Sequence, residues 1–302
     1  MTDFGIEESF QAASFRMKEH HGVEINTSAI RKITEFHADR ASEVEAALPK
    51  EKQRSKQIIA EMDGEMVPLV EYEDSEDRRK TKRTLWAELR VGVAQNPKTI
   101  TWEYACSFSN PDDLGDRLKI AMSRLGFDDE TKVHGIGDGA LWIPEQGERI
   151  AGKNYTHLID LYHLCEYFSG AVLAWQEDTK KETERLKEMA EDGRIIDIIE
   201  ELRKRQSELP IHEKLADCIR YIENRPGQFN YKEAKKKELP VGSGKVESTH
   251  RSLMQKRLKK PGAWWLRENA AKIADLRTLR ANGGWELLWQ PKSQAKPLQT
   301  AA

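Results

Sequence analysis

Two neighbouring segments of the chain alternate apolar and polar residues, and this pattern restricts the fold more than any other feature. In TLWAELRVGVAQ, residues 84–95, every second residue from Leu85 to Val93 is apolar. The segment KTITWEYACSF, residues 98–108, alternates in the same way. A period of two residues is typical of a half-buried β-strand. The sequence therefore predicts two consecutive strands.

A third strand is predicted immediately upstream, in KQIIAEMDGEMVPLV, residues 56–70. Its apolar run ends at Asp63-Gly64, and Asp-Gly is a common turn between two strands. We therefore expect Asp63 at the end of that strand. Three strands that follow one another this closely predict an antiparallel meander.

Later segments add helices and two more strands. Residues 110–127 carry apolar side chains at helical spacing, and residues 132–143 form a short strand that runs into Asp138-Gly139. Residues 155–175 begin as a strand and become a helix near His163. A meander followed by two strands that are reached through helices predicts an α/β fold, with a mixed five-stranded sheet flanked by helices.

Changes in composition along the chain predict five segments. They are an N-terminal helical segment with a helix-turn-helix outline (1–50), the first part of the core (51–175), an all-helical, highly charged insertion (176–238), the last helices of the core (239–290) and a flexible tail (291–302).

The overall composition favours a cytoplasmic protein without a membrane partner. Charged residues make up 33% of the 302 residues, and no apolar run approaches the ~20 residues of a membrane span. The first ten residues, MTDFGIEESF, lack the basic and apolar regions of a signal peptide. Three cysteines stand far apart without a CxxC pair, which predicts neither a zinc ribbon nor a disulfide framework.

Three acidic residues could form one site. Asp63 and Asp138 each end a predicted strand directly before glycine, and Glu247 heads a basic helix in VGSGKVESTHRSLMQKRLKK. Sites in open α/β sheets form at the carboxyl ends of strands. Crowded carboxylates repel one another, and divalent cations remove that repulsion. A structural alternative for the last acid is a helix start capped by Ser243, in which Glu247 complements the helix dipole.

The segment from Lys245 to Arg280 holds ten Lys and Arg residues against three Asp and Glu residues. Such local charge can attract phosphate although the whole chain has a net charge of -2. Trp264 could stack on a base, and core packing is the alternative for at least one residue of the Trp264-Trp265 pair. The residues predicted to contact DNA phosphates are Arg251, Lys256, Arg257, Lys259 and Lys260.

The chain resembles bacterial insertion-sequence transposases of the DDE type, including the Mutator-like group. Six pieces carry the resemblance, in this order: MDGEMVPLV, WAELRVGVA, GDGALWI, LIDLYHLCEYF, VGSGKVESTHRSLMQKRLKKPGAWW and LRTLRANGGWELLW. The resemblance implies an RNase H-like fold and an acid triad of Asp63, Asp138 and Glu247. It also implies two Mg²⁺ or Mn²⁺ ions, and transposon ends and target DNA as partners. A homo-oligomer, plausibly a dimer, is expected because two ends must be held together.

The motif DLYH leaves two assignments open. Asp160 ends the other interior strand and could be the second metal acid in place of Asp138. We prefer Asp138, since it follows the fourth strand, where RNase H-like topology places that carboxylate. Asp160 and His163 would then support the site by packing or hydrogen bonding.

Two other functions are compatible with the sequence. One is an RNase H-like nuclease or resolvase that cuts DNA at the same site without joining strands. The other is a catalytically inactive transposase remnant that only binds DNA.

Overall fold

The computed structural model describes residues 1–73, 78–175 and 178–290. The chain forms two compact units, of which the first comprises Met1–Ile58, Met62–Thr131 and Lys245–Ala302, and the second Ile59–Glu61 and Lys132–Gly244. The predicted tail, 291–302, lies outside the described residues, as do residues 176–177 at the start of the predicted insertion. The division of the chain into five segments stays a prediction.

Five strands form one mixed sheet. They are β1 (Gln57–Tyr72), β2 (Lys82–Gln95), β3 (Trp102–Ser107), β4 (Lys132–Gly137) and β5 (Tyr155–Ile159). Their order in the sheet is β3-β2-β1-β4-β5. Strands β2 and β3 are antiparallel, with Val91 opposite Cys106, whereas β4 and β5 are parallel, with Val133 opposite Tyr155.

Helices precede, follow and separate the strands. They are α1 (Thr2–Glu7), α2 (Phe10–His21), α3 (Thr27–Ala38), α4 (Ala41–Ala46), α5 (Pro111–Ser123), α6 (Trp142–Ala151), α7 (Leu161–Val172), α8 (Thr179–Glu191), α9 (Ile195–Glu208), α10 (Glu213–Glu223), α11 (Tyr231–Lys236), α12 (Gly244–Thr249), a π-helical segment (His250–Gln255), α13 (Lys256–Leu258), α14 (Arg267–Ala281) and α15 (Trp285–Leu288). None of the helices in the described ranges is long and apolar enough to cross a membrane.

The predicted fold class is confirmed. The chain has an α/β fold with a mixed five-stranded sheet flanked by helices, an arrangement that is consistent with an RNase H-like fold. Helices α1–α4 form the N-terminal helical segment. Helices α8–α11 form an all-helical insertion between α7 and α12, the helix that carries Glu247.

The predicted turn at Asp63-Gly64 is wrong, because β1 continues through both residues to Tyr72. Gly64 is not among the glycines with positive φ, so its backbone does not turn the chain. A Cβ at this position would collide with the carboxylate of Glu88 on β2. Gly64 therefore leaves room for the flexible end of the Glu88 side chain, and Asp63 lies within the strand.

Helix α6 connects β4 to β5. Two residues that usually interrupt helices, Pro144 and Gly147, lie inside it. Pro144 is in the first turn, where the missing N–H is not required by the helix. A Cβ at Gly147 would overlap the ring of Tyr155, so that glycine lets the helix pack closely on β5.

In the first unit, β2 lies between two helices. Leu89, Val91 and Val93 are completely buried and share a core with apolar residues of α14. Gly92, on the opposite face, approaches Leu118 of α5. This arrangement confirms the two-residue period predicted for β2.

Two buried arginines, one on α13 and one on α14, hold α1 in place. Arg257 donates from Nε to the Gly5 carbonyl oxygen at 3.0 Å, and Arg277 donates to the Ile6 carbonyl oxygen at 2.5 Å. Arg277 also pairs with Glu7 at 3.0 Å. The guanidinium groups thus satisfy carbonyl groups that the short helix leaves open at its carboxyl end.

The second unit has its own core, formed by α7 and the insertion. Leu164 and Phe168 of α7 are completely buried and cluster with Leu186, Leu202 and Cys218 from α8, α9 and α10. The insertion therefore packs on the helix that follows β5, which accounts for the apolar positions at helical spacing within its charged sequence.

His157, on β5, is a buried histidine that favours the neutral state. Its Nδ1 lies 2.9 Å from the hydroxyl of Tyr155, and the side chain is nine-tenths buried. Burial lowers the pKa of His157 to about 4, and the positive charges of His134 and Arg225 act in the same direction. The folded protein therefore keeps His157 neutral at pH values, below about 6.5, at which the same side chain in the unfolded chain would bind a proton.

We predict that the free energy of unfolding falls as the pH drops from about 6.5 towards 4, by about 3 kcal/mol for His157 at about 1.4 kcal/mol per pKa unit. The stabilisation is complete above the unfolded pKa and is lost towards the folded value. Urea unfolding at a series of pH values measures it. His157→Gln should flatten this dependence, whereas His21→Gln, at an exposed position, should not; equal slopes in both variants would contradict the assignment.

Candidate active site

Asp63 lies on β1 and is held on both sides of its carboxylate. Oδ1 accepts a hydrogen bond from the Gly64 backbone N–H at 2.8 Å, and Oδ2 lies 3.4 Å from His250 Nε2. The side chain keeps 30% of its surface exposed. Asp63 is thus oriented by the protein and still accessible from solvent.

Glu247 lies in the first turn of α12, in the same unit as Asp63. Its side chain is 64% exposed and pairs with Arg251 one turn later. The two residues therefore share a helix face. His250 and Met254, three and seven residues after Glu247, are buried, and a π-helical segment begins at His250.

Asp138 follows β4 directly, as predicted, in a turn that other residues of the second unit hold in place. Gly139 has φ 91°, which favours glycine. Its carbonyl oxygen accepts from Arg225 Nη2 at 2.8 Å, and the carbonyl oxygen of Asp138 accepts from the Tyr221 hydroxyl at 2.7 Å. The side chain accepts from the Ala140 N–H at 3.0 Å. The backbone around Asp138 is therefore fixed by long side chains from α10 and the loop that follows it.

Asp160 is buried and uses both carboxylate oxygens for structural hydrogen bonds. Oδ1 accepts from the N–H groups of Tyr162 and His163 at 2.6 and 3.1 Å, which caps α7. Oδ2 accepts from the backbone N–H and the hydroxyl of Ser243, each at 2.6 Å. A carboxylate offers about four acceptor positions, and these bonds use all four. This geometry favours a supporting role for Asp160 over the rival metal-ligand assignment.

The hydroxyl of Ser243, just before α12, donates to Asp160 Oδ2 at 2.6 Å. Val241 accepts a backbone hydrogen bond from the Leu161 N–H at 2.9 Å. Gly242 lies between these contacts, and a Cβ there would press on the ring of Tyr162. The chain that leads into α12 is therefore fastened to the start of α7.

His163 packs in an aromatic group on α7 and α10. Its ring makes edge contacts with Tyr167 and Tyr221, whose own rings stack at 3.9 Å between centroids. Nδ1 lies 3.4 Å from a carboxylate oxygen of Glu166. These contacts fit the predicted supporting role.

The donor chemistry of the three predicted acids fits a hard divalent cation, because carboxylate oxygens are its preferred ligands. Asp63 and Glu247 are partly exposed, unlike the fully bonded Asp160. Over the described ranges, no group of three or more His, Cys, Asp or Glu side chains is arranged to hold a metal ion. Asp63 and Glu247 belong to the first unit, and Asp138 belongs to the second. The metal site formed by these three acids stays a prediction.

Sequence reasoning assigned no role to Glu65 or to His250. Glu65 accepts from Lys259 Nζ at 2.6 Å, and its Oε2 lies 3.3 Å from His250 Nδ1. Burial disfavours the charged form of Glu65, but the contacts with His250 and Lys259 outweigh it and lower the pKa of Glu65. The available signal was spacing, since Glu65 is two residues from Asp63 and shares its face of β1.

The predicted DNA-contacting residues differ in exposure. Lys256 is exposed, whereas Lys259 is engaged by Glu65. Trp264 is 49% exposed, with Lys82 Nζ 4.2 Å from the ring centroid, while Trp265 is buried, as the core-packing alternative allowed for one of the pair.

Arg257 does not fit the predicted phosphate contact. It is only 2% exposed, and its guanidinium lies against the rings of Phe10 and Trp265, at 4.8 and 4.5 Å from their centroids. The physical reason is the period of the helix, which turns this position inward, where it bonds to the Gly5 carbonyl oxygen.

Comparisons with known proteins find a distant likeness among solved structures. Neither a protein-family model nor a curated protein matches the chain. Among solved structures, the chain is similar to a chain of the Drosophila P element transposase strand transfer complex. The two share 10% identity with a TM-score of 0.32, over 95% of this chain and 80% of that chain. A score this low supports no inference about shared activity.

We predict that Asp160→Asn lowers the free energy of unfolding by about 1–3 kcal/mol, because an amide group would face the Ser243 donors while the cap of α7 survives. Urea unfolding measures the loss, and hydrogen exchange should show a faster Ser243 amide. The matched control is Asp178→Asn, since Asp178 caps α8 through Lys180 and Lys181 in the same way. Equal losses in both variants would show that the Ser243 bonds contribute little.

Proposed function

We propose that this chain is a DDE transposase that cleaves DNA at the ends of an insertion sequence and transfers the freed strand to target DNA. The observation that supports this best is the position of the acids along the fold. Asp63 lies on β1, Asp138 directly follows β4, and β1 and β4 are neighbours in the sheet order. Glu247 begins the helix that follows the insertion.

In this proposal Asp63, Asp138 and Glu247 hold two Mg²⁺ or Mn²⁺ ions. Bound ions of this kind stabilise the attacking and leaving oxygens of an in-line phosphoryl displacement. The carboxylates act as ligands and not as nucleophiles, so no covalent link between protein and DNA forms. Hydrolysis of a phosphodiester at the element end leaves a 3′-OH. That hydroxyl attacks a target phosphodiester, forms a new P–O bond and releases the 3′-oxygen of the target strand as a 3′-OH.

Asp160 and His163 act as positioning residues in this proposal. Asp160 fastens Ser243, four residues before Glu247, to the start of α7. His163 belongs to the aromatic group whose Tyr221 bonds to the backbone of Asp138. Both residues therefore act on the backbone next to a proposed ligand.

We propose that DNA is bound by the exposed part of the basic segment. The exposed Lys256 and Arg251 and the half-buried Lys260 supply charge for phosphates, and Trp264 offers a partly exposed ring for stacking. Lys259 contributes to this surface only in part, because it is paired with Glu65. The proposal includes a homo-oligomer, with a dimer expected, because strand transfer requires two element ends to be held together.

We predict that Asp63→Ala, Asp138→Ala and Glu247→Ala each reduce Mg²⁺-dependent cleavage on the order of a thousandfold or more, since several kcal/mol of transition-state stabilisation are lost and each 1.4 kcal/mol is tenfold. Affinity for DNA should remain similar. The substrate is DNA from either flank of the chain's own gene, and cut and joined products are separated on gels.

The control is Glu213→Ala, which removes an exposed acid from the first turn of α10, as Glu247→Ala does from α12. It should cleave normally. Retained cleavage in all three acid variants would end the assignment of the triad. Cut products without joined products would indicate a nuclease, and the absence of both in the unaltered chain would indicate a DNA-binding remnant.

A second prediction separates surface charge from buried charge. Lys256→Ala should reduce the slope of log affinity against log salt concentration by about 0.9, the value for one lost phosphate contact. Arg257→Met should leave that slope unchanged and lower the unfolding midpoint, because Arg257 bonds to protein. DNA binding measured at several salt concentrations tests both. A reduced slope in Arg257→Met would restore the phosphate contact.

A further inference from the structure

His250 is buried between two carboxylates of β1, Asp63 and Glu65. The side chain is 3% exposed. Nε2 lies 3.4 Å from Asp63 Oδ2 and Nδ1 lies 3.3 Å from Glu65 Oε2, which is longer than the usual 2.9–3.0 Å of an N–H···O bond. Within the described residues, neither nitrogen has a hydrogen-bond partner. Buried polar groups are normally paired, so this arrangement requires an explanation.

Glu65 is anchored on the side away from His250. Its Oε1 accepts from Lys259 Nζ at 2.6 Å and from Gln255 Nε2 at 2.5 Å. Its Oε2 faces the His250 ring and has no hydrogen bond in the described part of the chain. Glu65 therefore has a fixed position and one oxygen available for the ring.

The position of His250 in the chain connects two of the proposed metal ligands. It follows Glu247 by three residues, at the first position of the π-helical segment. π-Helical segments inside α-helices are frequent at functional sites. The ring thus joins the helix of Glu247 to the strand of Asp63 through a contact inside the first unit.

We propose that His250 is a positioning residue that orients Asp63 towards the metal ions, with Glu65 as its anchor. This inference rests on the proposed function. His250 faces Asp63 with Nε2 and Glu65 with Nδ1, so its ring lies between the two carboxylates. Partners of this kind fix the orientation of a metal ligand and are typically worth 10–100-fold in metal affinity.

The test is calorimetric titration of Mn²⁺ into the full chain, which needs no activity measurement. His250→Ala should weaken Mn²⁺ binding by about tenfold or more. Glu65→Gln should weaken it in the same direction, and the double variant should be no weaker than the more affected single variant, as expected for residues that act in series. His250→Gln, which keeps a donor on a flexible side chain, should recover part of the affinity.

His157→Ala is the matched control, because it also removes a buried imidazole but does so on β5. It should lower the unfolding midpoint and leave Mn²⁺ affinity unchanged. A metal-free measurement accompanies the titration: in urea unfolding, the effects of His250→Ala and Asp63→Ala should be less than additive if the two side chains interact.

The outcomes distinguish this inference from the proposed function. If Asp63→Ala abolishes Mn²⁺ binding while His250→Ala and Glu65→Gln bind like the unaltered chain, the positioning role is overturned and the proposed function stands. If the unaltered chain does not bind Mn²⁺, both are overturned. Additive effects of His250→Ala and Asp63→Ala on unfolding would also contradict the inferred contact.

Discussion

Buried charged groups must find partners, and this requirement determines much of the structure around the candidate acids. Both carboxylate oxygens of Asp160 accept two hydrogen bonds each, and these four bonds join the start of α7 to Ser243. Arg277 donates to carbonyl oxygens of Ile6 and Ser252. Arg124 pairs with Glu103 at 2.6 Å. Such fully bonded groups fix the backbone, and for that reason they have little capacity left for chemistry.

The need of buried charged groups for partners also distinguishes a structural acid from the candidate metal ligands, which sequence reasoning could not do. Asp63, Asp138 and Asp160 all stand at or near the ends of apolar segments, so their local sequence does not rank them. Asp160 is fully bonded, whereas Asp63 keeps 30% of its side chain exposed. A partly exposed carboxylate is better suited to bind a ligand than a buried carboxylate whose acceptor positions are all used. This argument from bonding agrees with the choice of Asp138 over Asp160, which the sequence supported only through strand order.

Periodicity predicted the sheet well, because it reflects burial directly. The two-residue period of β2 corresponds to buried Leu89, Val91 and Val93, and the position of Asp138 after β4 was predicted correctly. Glycine was the less informative signal. Gly139 does turn the chain, with φ 91°, but Gly64 is extended and gives room to Glu88. The two Asp-Gly pairs are identical in sequence, and only the neighbouring strand distinguishes their roles.

The basic segment shows why charge counted along a sequence overstates the charge on a surface. Arg257 and Arg277, both within the segment of ten Lys and Arg residues, are buried and bonded to backbone carbonyl oxygens. Lys259 is paired with Glu65, and Arg251 with Glu247. Sequence alone could not show this, since the partners lie on β1, on α1 or one helical turn away. An attraction for DNA phosphates must therefore come from fewer cations than the sequence suggests. If Glu247 binds metal ions, Arg251 loses its carboxylate partner and its charge becomes available to a phosphate at the same place.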